Sequence, residues 1–413
     1  YHEVITQWQR DFQTLIGKNN AKYFDANGWL YFTKERFDLL YPSYGDTYPT
    51  YNGAIGMTYE QGGISAGLGV RTRDGDTLTL VDRAMHHFTT SIATVETASK
   101  NAARLVTEFK KYFDDNRNAV GSDYKTYVLT AKDANQLNGV ANLLQANGIE
   151  YGTTSSTSFK GYNYFSGKEE TYTDEGYQLA ISAYQPKSKM VKVLFEPKSI
   201  LSDSATYDIT AWSIPYAYGI KAYGVKEKLE VGAYKTQSAV TDVQSNYGLI
   251  VPYRSLNAAK LLSSLLQNNI KVRFCEKPST YNNINYDRGT LIILKGNNVP
   301  NWKELTNAAC KKFNLQAVDV ESGLVDKGAD FGSPDIKFIK APRVAVLTGS
   351  EVSSYAAGEV WNMFDQTLNY PITQLNADDI GSLANIDVLI IPDGYYYSFS
   401  DKPVAETLKN FVK

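Results

Sequence analysis

GLIVPYRSLNAAKLLSSLLQNNIKVRF, residues 248–274, is the stretch whose reading decides the fold. A short apolar run opens it, a helix-length amphipathic segment follows, and a second apolar run closes it, so it reads as strand, helix and returning strand. An earlier stretch has the same order. Tyr127-Val128-Leu129 reads as a strand, residues 134–147 (ANQLNGVANLLQAN) as a helix stopped by Gly148, and Ile149-Glu150-Tyr151 as the returning strand. Aligning Leu143-Leu144-Gln145 with Leu265-Leu266-Gln267 sets the two stretches 122 residues apart. The strand, helix and returning strand then match in order after one deletion, which makes the pair a candidate internal duplication.

Working outward, residues 177–181, 190–195 and 207–218 lie between the two units and read as β-rich. After the second unit come a strand at 289–294, a helix at 302–313 and a strand at 315–319. Beyond Ala341-Pro342, Arg343–Leu347 runs as a strand into Thr348-Gly349-Ser350. A helix is expected over 355–369, a continuous apolar strand at 387–391, and another helix from Pro403. Strands alternating with helices imply parallel βαβ units. Two or three strands do not make a stable doubly wound sheet alone, so this last segment reads as partial. Thr348-Gly349-Ser350 beside a helix start can bind an anion or simply supply an N-cap from Ser350, Ser353 or Ser354.

Toward the N-terminus, Val4, Ile5, Trp8, Phe12, Leu15, Ile16, Tyr23 and Phe24 recur at mostly helical spacing, and Gly28 stops that helix. Residues 29–32 read as a short strand. A loop rich in Tyr, Pro and Gly spans 41–53, and residues 54–60 (AIGMTYE) read as a buried strand. Asp74-Gly75-Asp76 is a turn. A long helix is expected over 77–113, with Phe88, Ile92, Val95, Ala102, Leu105, Phe109 and Phe113 as its apolar line. The polar stretch DDNRNAVGSD, residues 114–123, marks a domain boundary near 118.

Composition narrows the function classes. The 413 residues carry 42 Lys+Arg against 44 Asp+Glu, a net charge of -2, so there is no basic excess to meet nucleic acid or a membrane surface. No apolar run is long enough for a transmembrane helix. The chain opens at Tyr1 without a signal peptide, as a mature or truncated form does. The 31 tyrosines suit secreted or periplasmic surfaces, where a ring packs and still hydrogen-bonds. Only three histidines (His2, His86, His87) and two cysteines (Cys275, Cys310) are present, so ligands for a borderline metal are scarce. Cys275 and Cys310 fit a disulfide and buried thiols equally well. His86 and His87, adjacent on a helix, point about 100° apart and do not chelate one ion together. Gly67-Leu68-Gly69 lacks the third glycine and the strand–helix context of a dinucleotide motif.

Residues 41–60, YPSYGDTYPTYNGAIGMTYE, together with GMTYEQ (56–61) and DRAMHHFTTS (82–91), resemble the zinc carboxypeptidase family of carboxypeptidase A-like metallopeptidases, in its large secreted or periplasmic bacterial multidomain members. The resemblance covers about the first 118 residues as the C-terminal part of the catalytic domain. YQPKSKMVKVLFEPKS and YDITAWSIPYAYG resemble a downstream domain of the same proteins. RVAVLTG and DVLIIPDG resemble a class I glutamine amidotransferase-like domain. The implied fold is α/β: a partial carboxypeptidase-like mixed sheet with helices (1–118), an accessory α/β and β-rich region (119–340), and a partial flavodoxin-like or amidotransferase-like unit (341–413).

The resemblance implies hydrolysis of C-terminal peptide bonds, with Glu60 as the catalytic general base and acid. Tyr41 is the best match to a catalytic loop tyrosine, and Tyr44, second, is a candidate for substrate binding. The family's metal ligands, an H-x-x-E pair and a later His, have no match here, so no metal ligand is assigned. Zinc belongs to the parent protein and none is expected in this chain alone. The expected partners are a peptide or protein substrate and the missing N-terminal half of the catalytic domain. The last segment has no Cys after Cys310 and so lacks an amidotransferase nucleophile. Two readings of another kind stand beside these: Glu60 as a structural carboxylate paired with Arg71 or Arg73, and the whole chain as a non-catalytic peptide- or glycan-binding scaffold derived from a peptidase.

Overall fold

The computed structural model describes residues 1–35, 38–63, 67–201, 212–235, 239–381 and 383–413. It is an α/β protein with open sheets, divided into two compact units, Tyr1–Thr236 and Gln237–Lys413. The boundaries expected near 118 and 340 fall inside these units.

The first unit begins with α1 (Gln7–Asn27). Thr6 caps it through a reciprocal box with Gln9, and Gly28, at φ 69°, turns the chain out of the helix. A single turn, α2 (Thr47–Thr50), sits in the Tyr-rich loop. A hairpin of β1 (Gly69–Arg71) and β2 (Thr77–Thr79) then leads into α3 (Leu80–Lys100). Asn101 interrupts the single helix expected over 77–113, and α4 (Ala102–Arg117) follows as a separate element.

The two strands expected in this region do not form. Residues 29–32 are irregular, with Leu30 and Phe32 exposed. Residues 54–60 are extended but unpaired, because side chains take their carbonyls: Gln9 Nε2 donates to Ala54 O and Gln13 Nε2 to Gly56 O, each at 2.8 Å. The only strands described in 1–118 are thus those of the β1–β2 hairpin, beside an isolated His2–Leu201 bridge, in place of the expected mixed sheet. The apolar line of the long helix is also not its core face. Phe88, Ile92, Val95 and Phe109 are 50–64 % exposed, whereas the buried positions of α3 are Thr90, Ala93 and Thr97. These small residues let α3 approach α1 closely. There Asn19 Nδ2 donates to Ala93 O (2.8 Å) and Glu96 (2.9 Å), and Tyr23 donates to Glu96 at 2.9 Å.

The rest of the first unit is built on β3 (Thr126–Ala131), buried along its whole length. In order follow α5 (Ala134–Ala146), β4 (Thr153–Thr154), the hairpin of β5 (Lys160–Asn163) and β6 (Lys168–Thr171), and β7 (Tyr177–Ser182). Then come α6 (Ser188–Phe195), α7 (Ile214–Ala217), β8 (Lys221–Val225) and β9 (Val231–Gly232). β3 lies between β7 and β8, antiparallel to both. The returning strand is β4 rather than residues 149–151; it joins the sheet through the Gly152–Ala180 bridge and pairs with β9. Two further expectations change. Residues 190–195 are helical within α6, where every residue from Met190 to Phe195 is buried and no periodicity marks the helix. Of residues 207–218, those up to 211 lie outside the described residues, and the remainder holds the short α7 instead of a strand.

The second unit repeats this plan. β10 (Gly248–Val251), α8 (Leu256–Gln267) and β11 (Val272–Cys275) are followed by the hairpin of β12 (Ser279–Tyr281) and β13 (Ile284–Tyr286). β14 (Leu291–Leu294), α9 (Trp302–Lys312), β15 (Val318–Val320) and β16 (Ile336–Phe338) complete it. The sheet order is β15-β10-β14-β11-β16, all neighbours antiparallel. Taken through the Gly152 bridge, the first unit has the order β6-β5-β8-β3-β7-β4-β9, which contains the matching run β8-β3-β7-β4-β9. Each run is a split βαβ, or ferredoxin-like, arrangement with a strand added at the same edge and a hairpin inserted at the same point in the chain. In the first unit that hairpin, β5–β6, extends the sheet beyond β8, and in the second β12–β13 stands apart from it. The helix register is 121 rather than 122: Leu144 corresponds to Leu265, Gly148 to Asn269 and Ile149 to Ile270. Gly148 and Asn269 share a left-handed backbone (φ 63° and 58°), and Ile149 N and Ile270 N each close on the matching leucine carbonyl at 2.9 Å.

The second unit ends with β17 (Val344–Thr348), α10 (Ser354–Asn362), β18 (Ile372–Asn376), β19 (Val388–Ile390) and α11 (Lys402–Val412). The helix expected over 355–369 changes to a π-turn at Met363–Thr367, and β18 is a strand the sequence did not suggest. The three strands form a parallel sheet, β18-β17-β19. Ser353 caps α10, while Ser350 donates to Asp378 at 2.9 Å. The Thr348-Gly349-Ser350 turn therefore already faces a carboxylate.

Cys275 and Cys310 are free, buried thiols. Burial pushes the Cys310 thiol up to about 12. Burial likewise raises the tyrosines of the first unit, Tyr124 to about 12 and Tyr51, Tyr112, Tyr127 and Tyr164 upward by the same cause. A raised folded-state pKa means the fold favours the neutral phenol. Its contribution is complete below the ordinary tyrosine value and is lost as pH rises through it. Alkaline titration followed at the phenolate absorbance should show exposed tyrosines ionising near pH 10, and this buried set only in a later step coincident with loss of the near-ultraviolet circular dichroism. Ionisation of all 31 tyrosines in one step with the fold intact would contradict the burial.

Candidate functional site

The Tyr-rich loop is tied down by its own backbone and by the first unit. Tyr51, 2 % exposed, donates to Leu40 O at 2.7 Å, and Tyr112 donates to Tyr51 O at 2.6 Å. Tyr48 donates to Asn147 at 2.9 Å, and Lys187 donates to Asn52 at 2.6 Å. Gly56 is required where it stands, because a Cβ there would fall 1.8 Å from Asp46 O. On this frame Tyr41 is half-buried, its ring 5.2 Å from Tyr44 and 5.7 Å from Trp212. Tyr44 is exposed.

Glu60 stands elsewhere on the same segment. It is exposed, outside any strand, and makes no hydrogen bond or ion pair among the described residues. This corrects two expectations: Glu60 is not on a buried strand, and it is not paired with Arg71 or Arg73. The side chains on either side of it face α3, with Tyr59 OH 3.1 Å from Thr94 Oγ1 and Gln61 Oε1 3.0 Å from His86 Nδ1. The structure therefore brings Tyr41 and Tyr44 together as a ring pair. No contact joins Tyr41 to Glu60.

The histidines are engaged in packing. His86 lies 4.5 Å from the Trp29 ring and 5.3 Å from Phe24, and burial lowers its pKa. His87 is exposed. His2, next to the first residue of the chain, is held more tightly. It is fully buried; its Nε2 lies 2.6 Å from Glu196 Oε1, its Nδ1 3.2 Å from Val4 N, and its ring 5.7 Å from Tyr51. Val4 N–H can only donate, so Nδ1 accepts and is unprotonated. Nε2 therefore carries the proton and donates to Glu196, and His2 is neutral.

This arrangement does not fit zinc. Catalytic zinc takes three protein ligands. His2 has both nitrogens occupied, His86 has its Nδ1 on Gln61, and no group of three His, Cys, Asp or Glu converges among the described residues. No metal-dependent step is assigned to these residues. No helix among the described residues is long and apolar enough to cross a membrane.

Sequence reasoning missed Glu196 and the role of His2. They are 194 residues apart, and no local pattern links them. Comparison with models of protein families, with curated proteins and with solved structures gave no match to this chain.

Replacing His2 by Ala removes the only proton donor, among the described residues, to a carboxylate that is 5 % exposed. We expect His2→Ala to lose about 1.5–3 kcal/mol of stability by urea unfolding, and Glu196→Gln, which keeps an acceptor, to lose less. Equal and negligible losses would remove the pair from the stability of the unit.

Proposed function

We propose that the chain supplies the carboxylate and tyrosine side of a carboxypeptidase-type peptide hydrolase, with metal ligands provided by residues outside this sequence or by another chain. The end of the segment that carries the resemblance touches α3 through Tyr59 and Gln61, and large apolar side chains of α3 face outward. This uncovered face is the observation that carries the reading: Val81, Phe88, Ile92 and Val95 on α3, and Val106 and Phe109 on α4, are each at least half exposed. Isolated surface apolars are ordinary, but six large ones on two successive helices support a surface that another element covers.

In this reading Glu60, without a partner among the described residues, is available to take a proton from the attacking water and deliver it to the leaving amine nitrogen, and the Tyr41–Tyr44 pair shields the terminal residue of the peptide. The chain alone neither cleaves nor holds metal. The second unit's final parallel sheet is proposed as a non-catalytic, amidotransferase-like accessory. The tyrosine-rich, cysteine-poor composition is proposed to serve a secreted or periplasmic setting.

A second reading is favoured by the separation of Glu60 from Tyr41: a peptide- or glycan-binding scaffold without turnover. One substitution separates the two. In a protein that joins this chain to an H-x-x-E-bearing half, Glu60→Gln should lower kcat by about 10²–10⁴-fold while thermal stability is unchanged. Unchanged turnover would remove Glu60 from the chemistry, and peptide binding without any turnover in either form would favour the scaffold.

A further inference from the structure

A cavity of about 220 Å³ opens beside α6, lined by neither Glu60 nor Tyr41. Its aromatic walls are Tyr124, Tyr127 and Tyr162, with ring centroids 5.8 Å (Tyr124–Tyr127) and 6.3 Å (Tyr124–Tyr162) apart. Three polar groups in the lining are more than nine-tenths buried, Tyr127 at 2 %, Glu196 at 5 % and Lys192 at 6 % exposure. One Glu196 oxygen accepts from His2. Its other oxygen and the Tyr127 hydroxyl have no partner among the described residues, yet neither is sealed from open space.

The charges around the cavity leave a remainder. Lys192 is saturated by Glu3, by Asp123 at 3.0 Å and by the Gly121 carbonyl at 3.0 Å. Lys198 is exposed at the rim. Within the lining Asp123 and Glu196 face Lys192 and Lys198, but Lys192 is taken up by Glu3 and Asp123, so the buried Glu196 has no ion pair with a lysine among the described residues and keeps only the His2 hydrogen bond. A buried anion with one hydrogen bond is costly, and a cation beside it recovers that cost. Tyrosine faces attract cations. The volume is below that of drug-sized pockets.

We propose that this cavity binds a small organic cation, a primary or quaternary ammonium of amino-acid size. The cation is held by the open Glu196 oxygen and the Tyr127 hydroxyl oxygen, against the faces of Tyr124 and Tyr162. The inference is independent of the hydrolase reading, since it uses none of its residues.

The test is calorimetric titration of the full chain with n-butylammonium and tetramethylammonium chloride, alongside sodium butyrate and glucose at matched ionic strength, up to about 10 mM. Saturable binding of the ammonium salts only, weakened at least about tenfold by Glu196→Gln, is expected. Saturation by butyrate or glucose alone, by no compound, or equally by wild type and a folded Glu196→Gln variant would overturn the proposal. Should Glu196→Gln fail to fold, Lys198→Glu at the exposed rim decides. Removing the rim ammonium should tighten ammonium binding about threefold, and unchanged or weaker binding would overturn the proposal.

Discussion

Each sheet of the repeated plan depends on one constraint: the helix that follows its first strand must return the chain two strand positions away. β3, α5 and the Gly152–β4 segment do this in the first unit, and β10, α8 and β11 in the second. The gap left between the parallel strands is then filled by an antiparallel strand, β7 or β14. That strand is covered on both faces, which is why Leu179, Ala180 and Ile181, and likewise Leu291, Ile292 and Ile293, are buried as continuous runs. The close approach also fixes particular residues. A Cβ at Gly152 would meet Gly232 O at 1.8 Å, so the edge pairing of the first unit tolerates only glycine there.

Much of this was legible in the sequence because its signals are local. The helices of both units are marked by amphipathic spacing and by a residue that accepts a left-handed backbone at their ends, Gly148 and Asn269. The misreadings share a physical cause, the replacement of a local signal by a tertiary one. The apolar run in α6 is buried on all sides, so a helix there has the pattern of a strand. Residues 54–60 have strand composition, but Gln9 and Gln13 take the carbonyls that a neighbouring strand would have used. In α3 the small residues make the packed interface and the large ones face outward, the reverse of the usual amphipathic rule.

The candidate site divides along the same line. Tyr41, Tyr44 and Glu60 were found by motif, and the structure holds the two tyrosines as a pair while leaving Glu60 in solvent. The His2–Glu196 pair and the tyrosine cavity were not found, because their members come from residues near 2, 124, 162 and 196 and meet only in the folded unit. The scarcity of histidine takes a sharper form here. Two of the three histidines are committed to hydrogen bonds, and no ligand set converges among the described residues.

The most direct measurement of the central claim is zinc affinity. The purified chain would be equilibrated with buffered zinc and its metal content determined after removal of free ion, with hydrolysis of a C-terminal residue assayed on the same sample. The account expects zinc far below one ion per chain and no release of the terminal amino acid, because three converging ligands are needed and are not present among the described residues. Near-stoichiometric zinc accompanied by cleavage would contradict it.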